Sequence, residues 1–86
     1  MRKYTTNEIE KMYDEVESIP IAQLRDLWIV KYGNAWVDVF DLDVDLFYTA
    51  VCRRLMYAGF MEKHHIPTKM ESVFRIKEEQ CQTHLN

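Results

Sequence analysis

The side chains best suited to chemistry in this chain are His64, His65, Cys52, Cys81 and His84. His64 and His65 are neighbours in what reads as a strand, where successive side chains point to opposite faces and do not readily share one ion. Cys81 and His84 are three residues apart, so a helical tail would bring them to one face as half of a metal site, with Cys52 or His64 needed to complete it. The competing reading is a frayed tail of unrelated side chains. No Ser/His/Asp or Cys/His arrangement stands out. With only Gly33 and Gly59 there is no glycine-rich phosphate loop either. The chain is expected to have no catalytic residue, metal or cofactor, and to act by binding.

Two sets of residues could carry that binding. Asp38, Asp41, Asp43 and Asp45 lie among Trp36, Phe40, Phe47 and Tyr48. An acidic strip with large apolar groups suits docking on a basic, partly apolar protein groove, and its spaced carboxylates could imitate phosphates. The alternative is that the aspartates cap a helix and the aromatics belong to the core. The second set is Arg53, Arg54, Lys63, His64, His65, Lys69, Arg75 and Lys77, with Tyr57 as a stacking surface and Thr49 as a hydrogen-bond donor. On one side they would hold a nucleic-acid backbone. Glu62, Glu71, Glu78 and Glu79 are interleaved with them, as on an ordinary solvated surface.

Composition bounds both sets. Eighty-six residues, 48% of them hydrophobic and 13% aromatic, make one small domain whose few large side chains supply most of the buried area. Eleven basic against 14 acidic residues give a formal charge of −3, the wrong sign for affinity built on neutralising phosphates. Two cysteines make no disulfide framework, and no stretch approaches the roughly 18 apolar residues of a membrane span. A cytoplasmic protein with no membrane partner is expected.

The elements that must position these residues follow from capping and periodicity. Thr5-Thr6-Asn7-Glu8 is a capping box, with Tyr4 and Ile9 placed as its hydrophobic staple. Ile9, Met12, Tyr13, Val16 and Ile19 then form one helical stripe. Pro20 opens a second helix through Ile21, Leu24, Leu27, Trp28 and Lys31 or Tyr32, ended by Gly33. Residues 35–40 read as extended, or as a continuation of that helix. Asp43 is the expected N-cap of a third helix, with Asp45 in its first turn and Val44, Phe47, Tyr48, Val51, Leu55 and Ala58 as its buried stripe. Gly59 ends it. Residues 60–64 and 70–77 then read as a hairpin about a turn at 66–69. In its return strand Met70, Ser72, Phe74 and Ile76 share one face, and Glu71, Val73, Arg75 and Lys77 the other.

Helix, helix, extended piece, helix, hairpin resembles a winged helix-turn-helix domain over residues 5–77. The likeness is most specific at Arg54-Leu55-Met56-Tyr57-Ala58-Gly59-Phe60-Met61-Glu62, similar to that family's exit from recognition helix to wing. The resemblance implies a mainly α fold with a three-helix core and a C-terminal β-hairpin wing. Residues 78–86 would form a tail, helical or disordered. The long run from Gly33 to Asp43 departs from the family's tight turn. The resemblance also implies that the start of the third helix enters a DNA groove. Here that segment offers Asp41, Asp43 and Asp45, with no Arg, Lys, Asn or Gln to read base edges. The leading expectation is therefore a non-enzymatic regulatory or adaptor protein that docks on another protein, a component of nucleic-acid machinery. Its small size suits a viral or mobile-element regulator. The alternative is a winged-helix transcription regulator that binds duplex DNA through the third helix and wing. A weakly held homodimer fits either.

Overall fold

A computed structural model of the chain describes residues 4–38, 45–68 and 71–80. Among the described residues the helices α1 (Thr6–Glu17), α2 (Ile21–Tyr32) and α3 (Leu46–Tyr57) pack with three short strands, β1 (Val37–Asp38), β2 (Met61–Ile66) and β3 (Glu71–Ile76), and residues 78–80 are helical. The chain is mainly helical with a small antiparallel sheet, which is loosely compatible with a winged helix.

Each helix end has a local cause. Thr5 Oγ1 accepts from the Glu8 amide at 3.2 Å and Glu8 Oε1 accepts from the Thr5 amide at 2.9 Å, so the expected capping box closes in full. Those hydrogen bonds favour the charged carboxylate and hold Glu8 below its usual pKa. Pro20 stands one place outside α2 as its N-cap, and Gly33 at φ 60° ends the helix. That stop removes the option of α2 running on through residue 40.

The start of α3 differs from expectation. Asp45, not Asp43, is its N-cap, with extended φ and ψ and Oδ1 accepting from the Tyr48 amide at 3.2 Å. Either aspartate has capping chemistry; Asp45 holds the role because its carbonyl accepts the first helical hydrogen bond, from the Thr49 amide at 2.9 Å. Asp43 and Val44 lie outside the described residues. At the other end Gly59 adopts φ 81°, the Gly59 amide donates to Met56 O at 3.1 Å and the Phe60 amide to Leu55 O at 2.9 Å. These are the two bonds of a Schellman cap, which turns the chain from α3 into β2. A Cβ at Gly59 would meet nothing within 4 Å, so Gly59→Ala is a pure test of backbone conformation. It should lower stability by about 1–2 kcal/mol in urea denaturation, with Gly59→Asn costing less.

All six elements feed one core. Val16 from α1, Leu24 and Trp28 from α2, and Ala50, Val51, Cys52 and Leu55 from α3 are buried with Val37, Met61 and Ile76 from the three strands. The buried face of α3 is broader than the expected stripe because α3 touches α1, α2 and β2 at once, while Ala58 is exposed at its end. Lys31 is exposed, so Tyr32 rather than Lys31 continues the apolar side of α2.

The sheet contains a pairing that local patterning did not disclose. Strand order is β1-β3-β2, with Val37 opposite Phe74, Asp38 opposite Val73, and β2 paired to β3 from Met61–Ile76 to Ile66–Glu71. The extended piece between α2 and α3 thus becomes a third strand, where the winged-helix resemblance implies only a turn. Period-two alternation sends Val37, Met61, Phe74 and Ile76 toward the helices and Trp36, Asp38, Glu62, His64, Val73 and Arg75 to the outer face. β2 is an edge strand, and Lys63, His64 and His65 give it the polar character that discourages edge pairing.

Candidate protein-docking face

The outer face of the sheet holds a tight set of side chains from β2, β3 and the residue just before β1. Glu62 and Arg75 are directly opposite in the β2–β3 register, and Arg75 Nη2 and Nε donate to Glu62 Oε2 at 3.0 and 3.2 Å. On its other side the Arg75 guanidinium lies 4.3 Å from the centre of the Trp36 ring. His64 completes the set, with its ring centre 5.9 Å from that of Trp36. Trp36 remains 43% exposed. An ion pair this open to solvent contributes about 0–1 kcal/mol and a surface cation–π contact about 0.5–1 kcal/mol, so these contacts do little for stability. Their effect is to restrict the rotamers of a large exposed indole. Where β3 ends, Glu62, Arg75, Lys77, Glu78 and Glu79 border an open hollow of about 520 Å³.

The residues of the acidic strip divide between places. Trp36 and Asp38 lie on the sheet face. Asp45 is the α3 cap, and Tyr48 is half-buried in an aromatic stack, with ring centres 5.5 Å from Tyr32, 5.0 Å from Phe47 and 6.5 Å from Trp28. Lys31 Nζ lies 5.2 Å from the Tyr48 ring centre. Phe40, Asp41 and Asp43 lie outside the described residues.

The basic set divides as well. Arg53 is exposed on α3 with its guanidinium between the rings of Tyr13 at 4.6 Å and Tyr57 at 5.2 Å. Arg54, its neighbour, is half-buried with Nε shielded and without a hydrogen-bond partner. Thr49 Oγ1 donates to Asp45 O at 2.8 Å and so serves the helix. Arg75 faces outward beside Trp36, whereas Lys63 and His65 alternate to the opposite side of the hairpin. Lys69 lies outside the described residues, as do Cys81 and His84.

Cys52 is buried in the core, and burial pushes its thiol up to about 12. The thiolate is the reactive form, so Cys52 in a Cys81→Ser variant should resist iodoacetamide at pH 8 and be labelled on adding urea. The raised folded pKa also fixes a sign: this thiol's contribution to stability is intact below its ordinary 9.0 and is lost as pH rises toward about 12. Among the described residues no three His, Cys, Asp or Glu side chains converge as a metal site, and no helix is long and apolar enough to cross a membrane.

Comparisons with protein-family models, with curated proteins and with solved structures find no match to this chain. The site therefore rests on its own geometry. The grouping of Trp36, Arg75 and Glu62 escaped the sequence reading, which placed Arg75 with the basic set and Trp36 with the acidic strip. The available signal was the hairpin register, which sets Arg75 opposite Glu62 and on the face away from Phe74 and Ile76.

Proposed function

We propose that this chain is a small regulatory or adaptor protein without enzymatic activity, which works by docking the outer face of its sheet on another protein. One observation carries the reading: Trp36 is exposed, yet it is held by Arg75, itself braced by Glu62. Tryptophan and arginine are the residue types over-represented where a few side chains dominate interface energy, and a rotamer fixed beforehand loses less entropy on binding. The complementary partner presents an apolar side chain to the indole and an acceptor to the remaining guanidinium N–H groups. With a net charge of −3, long-range steering favours a basic partner surface around that contact.

A second reading, duplex DNA binding through α3 and the hairpin, draws on one specific feature. Tyr57 is 75% exposed beside Arg53, a pair able to stack on a base or hold a phosphate. The aspartate at the start of α3 and the excess of acidic residues work against it.

A photo-cross-linking residue placed at position 64 or at position 65 tests the lead reading. The two positions are adjacent in sequence and on opposite faces of the hairpin. Cross-links to one discrete protein from position 64, weak from position 65 and lost when Trp36→Ala is added, are expected. Equal cross-linking from both, unaffected by Trp36→Ala, would remove the sheet face as the site.

A further inference from the structure

One concavity shares no residue with the sheet face and does not depend on it. It is a groove of about 420 Å³ between α1 and the start of α3. Tyr4, Met12, Leu46 and Phe47 supply its apolar lining, and Glu8, Glu15, Asp45 and Lys11 its charged rim. Glu8 and Glu15 stand two turns apart on α1 with Met12 between them, and the first turn of α3 forms the other wall.

The charge sum decides which ligand fits. Three carboxylates against Lys11 leave two negative charges. The nearby starts of α1 and α3 return about half a positive charge each through their dipoles. The balance remains negative, and Glu8 and Asp45 are held in place by their capping bonds to the Thr5 and Tyr48 amides. A negative rim over an apolar floor suits a side chain with an aliphatic stem and a cationic head, next to a hydrophobe. The volume falls within the range of small binding pockets and admits a few side chains, not a folded surface.

We propose that this groove binds a short segment of a partner protein in which arginine or lysine alternates with large apolar residues. The cationic heads meet Glu8, Glu15 and Asp45, and the apolar side chains lie on Met12, Leu46 and Phe47. Glu15 and Lys11 are the residues to alter, because both are exposed and neither caps a helix.

The test is a titration of ¹⁵N-labelled full chain with an acetylated hexapeptide alternating arginine and leucine. Two control peptides carry glutamate for arginine or serine for leucine. Shifts centred on Lys11, Met12, Leu46 and Phe47, with neither control binding, are expected. Glu15→Lys should weaken binding about tenfold and Lys11→Glu should strengthen it. Shifts spread over all acidic surfaces, equal binding of the serine control, or no shift at millimolar peptide would overturn the proposal. So would binding that appears only after residues 1–3 are deleted, which would make the chain's own Arg2 and Lys3 the occupants.

Discussion

Trp28→Ala is expected to lower the urea midpoint more than any surface substitution in the chain. Trp28 is fully buried, its ring centre 4.5 Å from that of Tyr32, and it joins α2 to α3 through Tyr48. Truncating a buried tryptophan costs about 3–5 kcal/mol, because the transferred area is lost and the cavity collapses only in part. A chain of this length has about 4–13 kcal/mol in total. The substitution therefore removes between about a quarter of the stability and all of it. Trp28→Phe is the informative companion. Trp28 Nε1 is buried without a hydrogen-bond partner, so phenylalanine removes an unsatisfied donor while keeping much of the ring. Its loss should be near 1 kcal/mol. Urea midpoints followed by circular dichroism separate the two; an alanine variant as stable as the parent would show that the core does not centre on α2.

Trp36→Ala should behave in the opposite way, leaving the urea midpoint nearly unchanged and removing partner binding. Trp36 lies outside the core, and its contacts with Arg75 and His64 are too exposed to contribute much to folding. At a binding hot spot truncation costs about 2 kcal/mol or more, roughly thirtyfold in affinity. Arg75→Lys should also weaken binding despite keeping its charge, because an ammonium neither stacks on the indole nor pairs with Glu62 as a planar fork. Tyr57→Ala, at a still more exposed aromatic on α3, should change nothing. Calorimetry with the cross-linked partner checks all three. If Tyr57→Ala and not Trp36→Ala abolishes binding, the docking site belongs on α3.

Local signals in the sequence disclosed most of the elements and little of the site. The capping box at Thr5 and Glu8, the stops at Gly33 and Gly59, and the alternation that sends Phe74 and Ile76 inward each depend on residues within a few positions of one another, so they were legible. Choosing between Asp43 and Asp45 as the α3 cap was harder, since both carry the same chemistry two residues apart. Pairing of Val37 with Phe74 spans 37 positions of the chain and leaves no periodic trace in so short a strand. That pairing is what brings Trp36 beside Arg75. Sequence proximity had grouped Trp36 with Asp45 and Arg53 with Arg54. The fold uses Asp45 as a cap and turns Arg54 partly inward, so reversing the charge of either would disturb folding before it tested binding.

Binding of the full chain to a labelled mixed-sequence DNA duplex, followed by fluorescence anisotropy at low and then physiological salt, separates protein docking from nucleic-acid binding most directly. Docking through the sheet face predicts no change in anisotropy even at low salt, because the chain carries a net charge of −3 and Arg75 lies on the other hairpin face from Lys63 and His65. Binding that weakens steeply with salt and disappears in Arg53→Glu would contradict it and make α3 the working surface.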